Sequence, residues 1–518
     1  MVKRKKSKPI SLLKRKSASH AQESHSKKTH KRLKSTHNQT PSNQQPTKTH
    51  LFVAQNEIHR QSAQAITRLL RADATSAHGT SLKSLTLAPH ITNKKAVYAV
   101  TIETLKYIPV LEKIVDALNT QQLLALPPSP SLPRSTAFVL IRDLLWGEGL
   151  LPKNTSSSSS SSSNRIGTAE KRILSLEDDL NAALASVLYA ANTTDVTDLL
   201  PAIKFAEAAA NRPRTARVNL LKLSVDECLF QLSQDQRFSK IKIHIDPLIP
   251  ELLVFPPNTS LHDHPLVHTG ALVLQSKASC MPARALAPTP GWSVLDACAA
   301  PGNKTTHVAA LVGSKGKVFA YDKDAKRLER LKENVEKTGA ARIITPHCAD
   351  FLSLNPLDFD VDSSNRVDAI VLDPSCSGSG TAFTRMDHML PSAATNPTAI
   401  TAPSSLVHHT DARIQSLAAF QTSALAHALR FPRVQRVSYS TCSVHAAENE
   451  RVVAAVLYDT EQGKEFELVR ALPEWHRRGV EGCGLKKKDA KKVVRTDPIE
   501  DGTDGFFVAV LQRRRTVS

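Results

Sequence analysis

"VLDACAAPGNKTTH", residues 294–307, decides the fold. An apolar run closes on an acid, Asp296. A loop of small residues follows, and a helix is expected to begin near Asn303. Buried strand, short loop and helix open an α/β unit, whose ligands lie beyond the carboxyl ends of the strands. Small residues let the backbone approach a cofactor, and a helix N-terminus offers unpaired N–H groups. The dinucleotide fingerprint GxGxxG is absent, and Pro301 stiffens the turn. "PGNKT" also lacks the first glycine of a Walker loop. No pyrophosphate cradle is evident, which points to a cofactor without phosphates, and S-adenosylmethionine fits.

From residue 287 onward the same grammar repeats. "WSVLDA", "GKVFAYD", "ARIITPHCADF", "VDAIVLD" and "QRVSYSTCS" are strand-like runs separated by helical stretches, and "GFFVAVLQR" reads as a last strand. Such a series predicts a parallel sheet with crossover helices, a Rossmann-like domain over 287–515. Residues 386–409 interrupt it as a low-complexity loop insertion. Asp322 ends the second strand, where a carboxylate accepts both hydrogen bonds of a ribose diol. Arg327 lies in the first turns of the next helix, either on a solvated face or at the cofactor. Asp350, after the third strand, is a candidate contact for the adenine amine.

The chemistry gathers at two further strand ends. "VLDPSCSGSG" (residues 371–380) places Asp373 at the end of the fourth strand and Cys376 in the turn beyond. "VSYSTCS" (437–443) ends the fifth strand at Cys442. A lone buried cysteine is ordinarily a small core side chain. Two of them at adjacent strand ends beside a methyl donor suggest a thiol-dependent methylation. Pyrimidine C5 is too weak a nucleophile to attack a sulfonium unaided. A thiolate added at C6 turns C5 into an enamine-like carbon nucleophile. An acid beside the base, here Asp373, bonds N3–H or the exocyclic amine during attack. The base must leave its stack to enter such a pocket. Spacing alone leaves open which thiol attacks.

The rest of the 518-residue chain is organised around this domain. The net charge is +20, and residues 1–50 hold 14 Lys and Arg against one acid, Glu23. "KRKK" (3–6) and "KRK" (14–16) make that segment a disordered basic tail suited to nuclear or nucleolar targeting and loose RNA contact. Residues 51–152 read as a helical module. Leu105, Ile108, Leu111, Val115 and Leu118 recur at helical spacing, and Pro109 is expected to mark a joint between helices. A serine run at 156–163 makes 153–168 a linker. Residues 169–286 read as helices followed by mixed α/β, with a strand over 216–224. No stretch of 18 or more apolar residues suggests a membrane span. Seven cysteines without a CxxC pair give no zinc or other metal signature. The chain is expected to act as a monomer on a polyanionic partner.

Taken together, "DACAAPGNKT", "DPSCSGSG" and "YSTCS", in that order, resemble the RsmB/NOP-type RNA cytosine-C5 methyltransferases. The resemblance runs from about residue 211 to the C-terminus. "DPSC", where many relatives read "DPPC", "DPLIPELLVFP", "LQSKASC" and "GFFVAV" look most like the eukaryotic large-subunit ribosomal RNA branch. It implies an S-adenosylmethionine-dependent Rossmann-like domain preceded by a small α/β RNA-recognition-like subdomain. It implies ribosomal RNA or a preribosomal particle as partner, in the nucleolus. By position, Cys298, Ala299, Ala300, Pro301, Gly302, Asn303 and Lys304 would line the cofactor site. Asp322, Arg327, Asp350 and Asp373 would complete it. The resemblance also makes Cys442 the nucleophile and Cys376 the residue that assists release. A catalytically silent ribosome-assembly factor and a DNA cytosine methyltransferase are the competing readings.

Overall fold

The computed structural model describes residues 54–74, 81–120, 132–147, 166–200, 211–359, 365–381 and 412–515. The basic tail, the serine run and the 386–409 insertion lie outside the described residues.

The first part is helical: α1 (Glu57–Ala74), α2 (Leu82–Thr86), α3 (Lys94–Thr120), α4 (Arg134–Trp146), α5 (Thr168–Leu174) and α6 (Glu177–Ala190). Ser81 and Ser84 cap α2 reciprocally, side chain to backbone, so two orphan N–H groups are satisfied. All six helices contribute to one apolar core, in which Ile66, Leu111, Phe138 and Leu140 are fully covered. Two expectations are corrected here. Pro109 does not divide α3, which runs unbroken through it. Ile108, Val110 and Leu111 beside it are at most 1% exposed. Burying each such side chain contributes roughly 1.5–3 kcal/mol, enough to offset the lost backbone bond. The helices after the serine run also do not belong with the α/β subdomain. Ala169, Ile173, Leu176 and Leu180 complete the helical core. Glu170 ties α5 to the residues just before α1 by accepting the Gln55 and Asn56 N–H groups at 2.7 and 3.2 Å.

A four-stranded antiparallel sheet follows. It comprises β1 (Arg214–Val218), β2 (His244–Ile245), β3 (Leu252–Phe255) and β4 (Leu272–Leu274), in the order β2-β3-β1-β4, with α7 (Val225–Gln234) between β1 and β2. Ser224 and Glu227 form a capping box at the start of α7. The expected strand over 216–224 ends at Val218 because Asn219 leaves the ladder. Its side-chain amide donates to Gly270 O (2.9 Å) and to Thr338 O (2.8 Å) in the next domain. A buried polar seam strengthens that junction. Arg217 donates to Gln275 (2.8 Å) and Thr306 (3.1 Å), and His307 shares a 2.6 Å hydrogen bond with Glu251. Burial, with the Arg217 charge nearby, pulls the His307 pKa down to about 4 against the pull of Glu251. The ring is therefore neutral at neutral pH, and the bond to Glu251 does not require a protonated imidazole.

Helix α8 (Lys277–Leu286) leads into the large sheet. Its parallel strands are β5 (Ser293–Asp296), β6 (Lys317–Asp322), β7 (Ile344–Cys348), β8 (Ala369–Leu372) and β9 (Arg436–Thr441). The crossover helices are α9 (Asn303–Val312), α10 (Ala325–Thr338) and α11 (Ala412–Ala428). Then come α12 (Glu450–Asp459), β10 (Phe466–Val469), β11 (Val494–Thr496) and β12 (Phe506–Arg513). The order is β10-β12-β9-β8-β5-β6-β7, with β11 pairing β12 at the side. β12 runs antiparallel between β9 and β10. Apolar faces of α8, α9 and α10 cover one side of the sheet, and those of α11 and α12 cover the other. A parallel sheet needs both faces covered. The carboxyl ends of β5, β6, β8 and β9 therefore open at one edge. β12 begins at that edge too, since Phe507 pairs with Thr441.

Candidate active site

At the β5 end the chain is held tightly against its neighbours. Asp296 accepts the Cys298 N–H (3.3 Å) and the Thr305 hydroxyl (2.8 Å). Burial pushes its carboxyl up to about 6, even though Thr305 and Lys304 oppose the shift. Ala299 N donates to Tyr321 O (2.9 Å), and Ala300 N to the Asp322 carboxylate (3.2 Å). Pro301 O accepts from Asn334 at 2.7 Å. Gly302 sits at φ +107°, a conformation that disfavours any side chain, and a Cβ there would meet Leu331 at 2.7 Å. The next residue, Asn303, starts α9.

Asp322 closes β6 and is 4% exposed. Each of its oxygens takes one backbone N–H, from Ala300 and from Asp324, and Arg327 approaches at 3.5 Å. Acceptor capacity is left over for a vicinal diol. Arg327 also donates to Ala300 O, so its guanidinium clamps the loop rather than facing bulk water alone. Asp350 stands apart at the end of β7. It accepts the Leu352 N–H and faces Lys323 at 3.9 Å.

The second half of the site is more densely wired. The Cys376 and Cys442 sulfurs are 3.0 Å apart. Asp373 takes a hydrogen bond from Ser440 (2.6 Å) and an ion pair from Lys304 (2.7 Å). Lys304 thus reaches across from α9 to the thiol side of the edge, and its ammonium lies over the Phe506 ring at 5.4 Å. Burial disfavours the Lys304 charge, but Asp373, Cys442 and Asp296 outweigh it and raise the pKa. Cys376 is pushed well above the ordinary thiol value by its hydrogen bond with Cys442, by burial, and by the Asp373 and Glu448 charges.

Sequence reasoning missed what holds the two thiol loops together. Glu448 is fully buried and accepts the Ser377 N–H (2.9 Å), the Gln421 amide (3.0 Å) and the Ser443 hydroxyl (2.5 Å). It therefore bridges the residue after Cys376 to the residue after Cys442. Asn449 accepts from Thr441 and donates to Ser443 O (2.8 Å). Glu450 pairs bidentately with Arg495. The signal was present in "AENE": three consecutive polar residues at the mouth of an otherwise apolar helix. Gly380 completes the arrangement. Its N–H donates to Cys442 O (2.9 Å), and its carbonyl accepts from Gly505 (2.8 Å). A Cβ at position 380 would lie 1.9 Å from Gly505 O. Gly380→Ala should therefore destabilise the protein by roughly 1–3 kcal/mol. It should also lower turnover by more than the stability loss explains, because the displaced Gly380 N–H is the group that holds the Cys442 carbonyl. Thermal melting and methyl-transfer rates on the same preparation check this. An unchanged melting temperature would refute the close packing.

A doubly wound sheet whose last strand inserts antiparallel beside the fifth, with a small-residue loop and an acid at the first two strand ends, defines a Rossmann-like methyltransferase. Residues 283–512 match the sequence model of the 16S rRNA methyltransferase RsmB/F family. Residues 212–275 and 95–200 match those of the ferredoxin-like and N-terminal domains of NOL1/NOP2/Sun domain family member 5. The chain belongs to this family of RNA cytosine-C5 methyltransferases, in its member-5 branch. It is 38% identical over 454 residues to the 25S rRNA (cytosine-C(5))-methyltransferase NSUN5 of Arabidopsis thaliana, covering 88% of this chain and 72% of that one. It is 35% identical to the 28S rRNA (cytosine-C(5))-methyltransferase of Mus musculus, covering 84% and 88%. The crystal structure of PH0851 shares the fold, with a TM-score of 0.55 and 20% identity over 89% of this chain and all of that one. No helix among the described residues is long and apolar enough to cross a membrane.

Proposed function

We propose that the protein forms 5-methylcytosine in large-subunit ribosomal RNA through a covalent Cys442–C6 adduct. The observation that carries this reading is the thiol pair at 3.0 Å beside the Lys304–Asp373 ion pair. S-Adenosylmethionine, when bound, supplies an electrophilic methyl group. The residues present fit it: Cys298, Ala299, Ala300, Pro301, Gly302 and Asn303 form a close backbone wall, with Asp322 and Arg327 at the second strand end and Asp350 at the third. The Asp322 carboxylate, with its spare acceptor capacity, would hold the ribose hydroxyls.

Cys442 adds as thiolate to C6 of the cytosine, and electron density moves to C5. Asp373 accepts from the exocyclic amine. Lys304 places a positive charge beside both Asp373 and the attacking sulfur, and Phe506 shields that charge from water. After C5 gains the methyl group, its proton passes to solvent, the C5–H electron pair re-forms the C5–C6 double bond, and the Cys442 thiolate is expelled, which restores the aromatic ring. Cys376, held protonated, donates a hydrogen bond to the departing sulfur. The same reading puts the enzyme to work in the nucleolus, where its basic tail suits both import and RNA contact. Bisulfite sequencing of large-subunit rRNA from cells with and without the protein tests it. One or a few cytosines should lose protection when the protein is absent, and an unchanged pattern would overturn the assignment.

A further inference from the structure

A cavity of about 420 Å³ lies where the three parts of the chain meet. Lys83 and Tyr98 come from the helical module, Arg214 and Asn258 from the antiparallel subdomain, and Gly502 and Asp504 from the catalytic domain. One side of it is the segment Gly502–Asp504, which runs into β12. Thr503 accepts the Ala278 N–H at 3.0 Å. Two residues beyond Asp504 stands Phe506, over Lys304. Two residues of chain span at most about 7 Å, within reach of the nucleotide next to a base held at the thiols.

The wall chemistry is cationic and aromatic. Lys83 and Arg214 are exposed and make no ion pair among the described residues. The wall's acid, Asp504, is paired with Arg212 at 2.8 Å. Lys94 and Lys95, both exposed, lie four and three positions before Tyr98 on α3, on the same side of the helix. Tyr98 is half-buried and packs against the helical core, which fixes its ring. Burial raises its phenol pKa while the Arg214 charge opposes that shift, so ring and guanidinium share the cavity. A fixed aromatic face flanked by unpaired cations is the chemistry that holds single-stranded nucleic acid. An acidic peptide would find the charges but little use for the ring.

We propose that this three-part cavity binds the unpaired nucleotides flanking the target cytosine, with Tyr98 stacking on a base and Lys83 and Arg214 contacting phosphates. The proposal rests on the RNA-methyltransferase reading above and assigns the helical module a direct part in substrate binding. The test uses the full chain and deproteinised large-subunit rRNA. Lys83→Ala/Arg214→Ala should raise KM about ten-fold while changing kcat less than two-fold. The log–log salt dependence should become shallower by about 1.4, the value for two lost phosphate contacts on a single strand. Tyr98→Ala should raise KM at least about five-fold. Tyr98→Phe, which keeps the ring and the packing, should match wild type.

Unchanged KM and salt slope in the double variant would overturn the proposal, including in favour of a protein occupant. Tyr98→Phe behaving as badly as Tyr98→Ala would overturn the stacking role. If the wild type proves unable to methylate rRNA, the functional reading fails separately. The cavity is then read from fluorescence anisotropy of a labelled 12-nucleotide oligocytidylate. Weaker binding by the variants upholds it, and equal binding overturns it.

Discussion

Cys442→Ala eliminates methyl transfer, by about 10⁴-fold or more, and leaves no RNA attached to the protein after denaturation. The expectation rests on what C5 methylation requires. Without a nucleophile at C6 the ring carbon has no means of attacking a sulfonium, and alanine supplies none. The electrostatics distinguish this thiol from its neighbour. Cys376 is pushed well above the ordinary thiol value by its hydrogen bond with Cys442, by burial and by the Asp373 and Glu448 charges, so it suits the role of a proton-bearing helper rather than that of the attacking thiolate. The substitution removes one sulfur from a partly buried position and should leave the fold intact. Incorporation of labelled methyl groups and a denaturing gel of the protein–RNA mixture check both parts. A surviving adduct would mean that Cys376, or another thiol, is the nucleophile.

Cys376→Ala gives the opposite phenotype: attack proceeds, release fails, and a protein–RNA species resistant to denaturants accumulates. The thiol 3.0 Å from the attacking sulfur is the group able to donate a hydrogen bond as the carbon–sulfur bond breaks. Without it the Cys442 sulfur must depart unassisted beside Asp373. Turnover should fall by 10²-fold or more, in the range that positioned proton donors contribute. A single round of methylation should still be detectable on the trapped RNA. Cys376→Ser, which restores a hydroxyl donor, should shorten the lifetime of the adduct relative to alanine. If no adduct accumulates with alanine at either low or neutral pH, the release role is wrong.

How much of this could be read along the chain depends on the range over which each signal acts. Strand ends announce themselves locally: apolar residues, then an acid, then small or turn-forming residues. Asp296, Asp322, Asp373, Cys376 and Cys442 were therefore legible as strand-end residues, and helix α9 begins at the expected Asn303. The break at Pro109 was misjudged because proline carries a strong local penalty, whereas the packing that overrides it comes from α1 and α4. The helices α5 and α6 were grouped with the wrong neighbour for the same reason. A serine run looks like a boundary, but Leu176 and Leu180 recognise only the apolar surface they cover.

The amino-acid sequence by itself determined the alternation of strands and helices, the order of the motifs and the chemistry that a thiol beside a methyl donor would serve. These are properties of short windows, fixed by backbone preference, hydrophobic period and side-chain reactivity. Only the tertiary structure decided that Lys304 turns from the cofactor loop onto Asp373 and that Glu448 joins the two cysteine loops. It alone brought Lys83, Tyr98 and Arg214, from separate modules, to one cavity beside the catalytic edge. The reason is physical. Charge pairing and burial act between atoms a few ångströms apart in space, and residues separated by tens to hundreds of positions acquire that proximity only when the sheet and its covering helices close.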